Sequence, residues 1–471
     1  MTPKREPAGR TTGGTTVGES RKALSRGARI VAAASMLAGG ALAPAAAQDA
    51  KTPFHSPDTH LGVTSCAGST CHGAVEPFKG SNVLQNEYVT WQRQDKHARA
   101  YAVLLNERSK RIARNLGLAK PAHESKECLD CHADNVAENV RGRQFQLSDG
   151  VGCESCHGGA RRWLGIHVAG STHAENVAAG MYPTDDPMAR AKLCLGCHFG
   201  ESSPTKFVTH RIMGAGHPRM SFELDTFTTI QPAHFVVDDD YRKRKSTPSG
   251  IQVWAVGQSL AMAAVLESLS DPGRNRQGMF PELVQFDCHA CHHQMSQEVD
   301  LRWQPRRGVG LPPGYPRVND ANLVMLRVIA SRIDPGMAQR LTAKGIEFHK
   351  ATAASAERFQ AQAKELAALV GEFGKKAAGH NFSKDDMQAV LRGLIGEAGV
   401  GEMFDYAAAE QATMALGAII SSLRGAGAID QAQLEKFNAA LERCYAATSD
   451  DELYRPADFA AAIGSFRGLV N

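Results

Sequence analysis

The chain has 471 residues, with 53 Lys and Arg against 49 Asp and Glu, a formal net charge of +4. Seven of the basic residues stand in the first 47 against two Glu, and subtracting this leader's +5 leaves the remainder at −1. The overall basic balance is therefore misleading, and no nucleic-acid partner is expected.

The leader, residues 1–47, pairs its basic front end with an apolar run near 30–43 and ends in Ala45-Ala46-Ala47 before Gln48. This order reads as a secretory signal peptide without a twin-arginine pair. An uncleaved anchor is the alternative, although the run is short for a span of about 20 residues. No later segment is read as a span, so no membrane span is expected after signal cleavage.

The stretch 48–307 is rich in Gly, Pro and turn dipeptides and holds 16 of the 18 His. It also holds four copies of Cys-x-x-Cys-His, at Cys128/Cys131/His132, Cys153/Cys156/His157, Cys194/Cys197/His198 and Cys288/Cys291/His292. Random placement of 11 Cys and 18 His gives about 0.01 such motifs. Two thiols at this spacing add across the two vinyl groups of haem, and the adjacent His ligates the iron. Zinc sites and disulfides also use close cysteines, but neither requires a His after every second Cys.

A fifth copy, Cys66-Ala-Gly-Ser-Thr-Cys71-His72, has its thiols separated by four residues. Its loop must bulge outward to keep both sulfurs at the vinyl positions; a small disulfide loop is the alternative. The cofactor expectation is thus five covalently attached haem c groups. Such a stretch has little aliphatic core of its own, so the fold class expected is mainly α, a haem-cored domain of short helices and long loops.

Residues 308–318 are dense in helix breakers and read as a linker. The tail, 319–471, reads as a haem-free helical bundle, with helices near 319–333, 335–373, 384–397, 402–423, 431–447 and 456–469. Ser383 with Asp386 forms a capping box, Asp430 is an N-cap, and Pro335 and Pro456 occupy first turns. Cys444 lies on a helical apolar pattern and is expected to be a buried, inert thiol. His349 and His380 are expected at the surface.

What fills the sixth coordination position of each iron separates carrier from catalyst. Beyond the motif histidines, the haem region offers His55, His60, His97, His123, His167, His173, His210, His217, His234, His289 and His293. His289 sits between the thiols of its own motif and is expected to serve elsewhere; His293 and Met295 are awkward candidates too. Trp91, Trp163, Trp254 and Trp303 are expected to pack on haem faces or cap the core.

The run Cys128-Leu-Asp-Cys-His132, then Asp149-Gly-Val-Gly-Cys153-Glu-Ser-Cys-His-Gly158, then Arg161 and His167, resembles the cytochrome c-554 family of ammonia oxidisers. Those are tetrahaem electron carriers that accept electrons from hydroxylamine oxidoreductase. The resemblance runs over roughly 66–198 and is strongest over 150–167. It implies that His167 crosses over to the site of His72, that His97 serves the site of His157, and that the iron on His132 is open. His60 and His173 are the residues that could close that site here. The widened first motif, an insertion before Trp91, the fifth motif and the tail all depart from the family, so its partner is not carried over.

For the fourth and fifth sites, Val208-Thr-His210-Arg-Ile-Met-Gly-Ala-Gly-His217-Pro-Arg and the following His234 resemble distal-ligand loops of the wider multihaem group. His217 ranks first, His210 second and His234 third.

Mostly paired histidines point to periplasmic electron relay between redox partner proteins, some docking through the tail. One open haem acting on a small nitrogen or sulfur species is the alternative, which leaves the enzyme question open. Against it, no Cys-x-x-Cys-Lys is present, as in pentahaem nitrite reductase, and the eight motifs of hydroxylamine oxidoreductase are missing. A sensor or assembly subunit is the third reading.

Overall fold

A computed structural model describes residues 51–470 apart from 202–204, 275, 278–279, 293–310, 312–314, 316, 400, 402 and 404. The leader, His293, Met295 and Trp303 lie outside the described residues. Everything described falls within one compact unit.

The protein is mainly helical, and helix length divides it. Up to about residue 249 the helices are short, from Glu87–Gln94 through Lys126–His132, Cys153–His157 and Pro187–His198 to His210–Gly214, linked by long turns. Their hydrophobic clusters are small: Leu104, Ala113, Ala122, Leu129 and Ala133 make one, and Ile112, Leu116 and Ala215 another. So little apolar burial does not by itself offset the ordering of that much chain.

The larger core belongs to the long helices Ala321–Ile333, Pro335–Ala351, Ala356–Ala378, Lys384–Gly399, Tyr406–Gly425, Gln431–Ala447 and Pro456–Gly464. The helix Gly250–Ser270, expected with the haem region, runs through the middle of this core, with Ile251, Trp254, Met262, Leu266 and Leu269 fully buried. Burying each such side chain contributes about 1.5–3 kcal/mol. It packs closely on Ala356–Ala378 because Gly374 carries no side chain where a Cβ would collide with Ser259, whose hydroxyl donates to the carbonyl of Val370 at 2.7 Å.

The helix Gly250–Ser270 is also long and apolar enough to cross a membrane, with 21 residues and a mean hydropathy of 1.2. Here 72% of that window is buried inside the protein, the setting of a core helix. It ties the two halves together. One face meets Met188, Ala191 and Leu224, and its Gln258 joins a buried chain of amides running from Asn322 through Gln411 to the carbonyl of Phe222.

Three tail expectations change. The single helix expected over 335–373 is two, because Ser355 accepts a hydrogen bond from the Arg358 N–H and restarts the helix after Ala351. His349 is 1% exposed and lies 3.1 Å from Asp320, which also takes the Arg317 guanidinium, so it is a core residue. The end of the expected linker is likewise core: Val318 is fully buried and pairs with Phe286.

The Ser383/Asp386 capping box, the Asp430 cap and the first-turn prolines stand as expected. Cys444 is fully buried, and burial pushes its thiol up to about 12.

Candidate functional site

In three motifs the two thiols and the His are carried by one helical stretch: Lys126–His132, Cys153–His157 and the end of Pro187–His198. Helical residues three and four apart share a face, so Cys, Cys and His converge from one turn. Cys288 begins a 3-10 turn that sends the His292 N–H back to the Cys288 carbonyl at 2.7 Å.

The widened motif reaches the same end differently. The Cys71 and Gly73 N–H groups both donate to the Gly68 carbonyl, and the His72 N–H donates to Cys66. A side chain at Gly73 would collide with the Ala67 carbonyl, so this closure requires glycine. None of the eleven cysteines is in a disulfide.

Each motif histidine faces a second histidine. Ring centres are 6.1 Å apart for His72 and His167, 6.2 Å for His198 and His97, 6.5 Å for His132 and His217, 6.3 Å for His157 and His234, and 6.1 Å for His292 and His210. A metal–imidazole bond of about 2 Å, with the ring centre about 1 Å beyond the nitrogen, separates two opposed imidazoles by about 6 Å. The five pairs thus fit a metal between them.

Their hydrogen bonds fix which nitrogen is left for it. Nδ1 of His72 lies 2.9 Å from Glu87, that of His97 2.8 Å from Asp95, that of His132 3.1 Å from the Ala100 carbonyl, and that of His217 2.8 Å from the Pro218 carbonyl. Each of these oxygens accepts a hydrogen bond from Nδ1–H, which keeps the proton on Nδ1 and leaves the Nε2 lone pair free. The Glu87 and Asp95 bonds outweigh burial and raise the His72 and His97 pKa values. Burial, helped by nearby basic groups such as His234 and Lys245 for His157 and His97 for His198, lowers His157 to about 3 and His198 to about 4, which keeps both imidazoles neutral.

The first four motifs and His97, His167, His217 and His234 line one continuous cavity of 2580 Å³. A site for one small ligand takes about 300–1,000 Å³. With its thiol pairs and opposed imidazoles, this cavity fits several haems. Neighbouring motifs meet at their thiols: Cys66 lies beside Cys153, and Cys131 beside Cys197. Cys156 is in electrostatic range of Cys194 and Cys197, so the motifs adjoin in the order first, third, fourth, second.

As the resemblance implies, His167 faces His72. His97 faces His198 and not His157, because Asp95 caps the turn 96–99 and holds the ring there while His234 takes the place opposite His157. The site of His132 is faced by His217, which corrects the open position. Neither His60 nor His173 pairs with a motif ring. His60 is fully buried 2.7 Å from Asp134, with its backbone bridged to Arg141, and His173 lies 3.0 Å from Asp185.

Sequence reading missed Glu87, Asp95 and Glu154. Glu154 is 3% exposed within the third motif and accepts the N–H groups of Leu61, Gly62 and Ala160, which pins the entering chain to that motif. Asp95 was visible as a cap two residues before His97; the other two act across chain distances that carry no local signal. Of the tryptophans, Trp91 donates to the Val151 carbonyl at 3.0 Å, Trp163 is buried beside His167, and Trp254 lies in the tail core.

Residues 63–158, about a fifth of the chain, match the family model described as cytochrome c554 and c-prime. The match takes in the first three motifs and His97. No curated protein and no solved structure gives a significant match. With its thiol pairs, opposed imidazoles and this match, the chain is a c-type cytochrome of electron transfer, carrying covalently bound haem and resembling the cytochrome c554 family.

Proposed function

We propose that the protein is a periplasmic pentahaem c-type cytochrome that relays electrons between redox partner proteins. The observation that carries this is the facing histidine opposite every motif histidine, at 6.1–6.5 Å. Bound haem supplies the one-electron couple. The protein's own groups would do the rest: the ten motif cysteines would hold the groups covalently, the ten facing histidines would ligate the irons, and Glu87 and Asp95 hold the His72 and His97 imidazoles in orientation.

Irons held by two histidines each would leave a small substrate nowhere to bind, which favours relay over reduction or oxidation of a nitrogen or sulfur species. The basic, apolar leader and the chemistry of thioether formation support export. In this reading the residues that would hold each iron are His72/His167, His132/His217, His157/His234, His198/His97 and His292/His210.

Electron paramagnetic resonance of the exported, matured protein tests it. Five low-spin ferric haems and no high-spin signal are expected, with no nitric oxide bound on reduction. A high-spin component of one haem equivalent that binds nitric oxide would overturn the relay.

A further inference from the structure

A relay needs its fifth site held in fixed relation to the other four, and the helical tail contributes residues at that junction. His289, between Cys288 and Cys291, stacks on Tyr454 with ring centres 6.1 Å apart and planes 11° apart. It meets Tyr406 edge-on at 5.9 Å, and its Nε2 lies 2.8 Å from the Asp451 carbonyl. The two tyrosines meet edge to face at 5.3 Å. Their hydroxyls donate to tail carbonyls, Tyr406 to Thr448 and Tyr454 to Met403.

The same cluster reaches the second site. Arg219, two residues after His217, sets its guanidinium 4.8 Å from the centre of the Tyr406 ring, a cation over an aromatic face. Its Nη2 lies 2.6 Å from Glu410 and its Nε 3.5 Å from Asp451.

The approach to the fifth motif is tied on both sides as well. Glu282, 2% exposed, accepts the His210 N–H at 2.7 Å, while Asp287 donates its N–H to the Arg317 carbonyl at 2.8 Å. The segment 282–289 therefore joins the axial His210 to the tail. His210 and His217 in turn sit on one short stretch that faces the fifth and second motifs.

We propose that Arg219, Tyr406 and Tyr454 are positioning residues that seat the fifth haem motif beside the site of His132 and His217, so that the tail sets the potential and coupling of the fifth haem. The proposal rests on reading Cys288/Cys291/His292 as a haem site. Stacking fixes the loop between the two thiols, and the Arg219 cation favours the reduced, less positive state of whichever iron it is nearest.

The test uses the full-length holoprotein with Arg219→Gln, Tyr454→Leu and the conservative Tyr454→Phe. Spectroelectrochemical titration of Arg219→Gln should lower the midpoint of one or two haems and leave the others in place. Tyr454→Leu should shift the low-spin resonance of one haem, and Tyr454→Phe, which keeps the ring, should match the parent. If Arg219→Gln and Tyr454→Leu lower the melting temperature but move no potential and no resonance, the tail is packing alone and the proposal falls. Should Tyr454→Leu misfold, Arg219→Gln decides, since that side chain is 22% exposed and outside the core. Intact mass with no haem on Cys288/Cys291 would remove the premise instead, which separates failure of the fifth site from failure of its seat.

Discussion

His217 faces His132 with ring centres 6.5 Å apart and planes at 80°, in the position that the family resemblance leaves open. Its Nδ1 is occupied by the carbonyl of Pro218, so the ring is presented with Nε2 toward His132. His217→Ala should therefore convert one haem to high-spin and create a site for one equivalent of nitric oxide or cyanide, where the parent has none. His60→Ala and His173→Ala should create no such site. A spectrum unchanged in His217→Ala would return the His132 iron to the unassigned state.

The crossing of His97 to His198 makes a prediction that separates it from the pairing with His157. His97→Ala should yield one high-spin haem, and the same substitution in a Cys194→Ala/Cys197→Ala background, which lacks the fourth haem, should add no high-spin signal. If the signal persists in that background, His97 serves another iron. Thioether bonds do not depend on the sixth ligand, so the remaining haems should stay attached in both proteins.

Glu87 holds the His72 ring, and its own two other contacts, from the N–H groups of Leu84 and Gln85, hold Glu87. Glu87→Gln keeps the shape but gives His72 a weaker acceptor, and losing the hydrogen-bond partner of a ligating His typically costs about 10- to 100-fold in metal affinity or activity. For a covalently held cofactor the effect should appear as a raised midpoint of one haem, because a less electron-rich imidazole stabilises the ferric state less. An unshifted redox titration would count against an orienting role for Glu87.

The motifs could be found in the sequence because their chemistry is local: one helical turn presents two thiols and an imidazole together. Which distal histidine meets which iron was not local. His97 is 101 positions from His198 and His217 is 85 from His132, so loop paths that no periodicity encodes decide the pairs. The tail was legible through its caps, Ser383, Asp430, Pro335 and Pro456. The helix break before Ala356 and the core role of the helix Gly250–Ser270 were hidden for one reason: Ser355 caps without an acidic partner at the third position, and Gly250–Ser270 has apolar residues on every face, so neither shows its place by pattern.

The widened first motif should tolerate no side chain at Gly73. Its N–H closes the loop on Gly68 and a Cβ would meet the Ala67 carbonyl, so Gly73→Ala must open the turn that returns Cys71 and His72 toward Cys66. Intact mass of the exported variant should show one haem addition fewer in part or all of the population, with Gly68→Ala closer to the parent because its Cβ meets only the Cys71 side chain at 3.6 Å. Full loading in Gly73→Ala would show that the loop closes another way.

Asp386 gives the tail a pH dependence whose sign is fixed. Burial acts to raise its pKa, but the N–H and hydroxyl of Ser383, with Arg332 and His380, pull it down from the usual 3.8 to about 2. A carboxylate depressed on folding stabilises the folded state fully above its unfolded pKa, and this contribution fades as pH falls through the folded value. Asp386→Asn should lower tail stability by about 1 kcal/mol at neutral pH, the scale of a lost cap. The difference between parent and variant should shrink between about pH 4 and about pH 2. Denaturant melts followed by far-ultraviolet circular dichroism across that range check it. A gap that stays constant with pH would mean that the Asp386 charge is not what holds the start of the helix Lys384–Gly399.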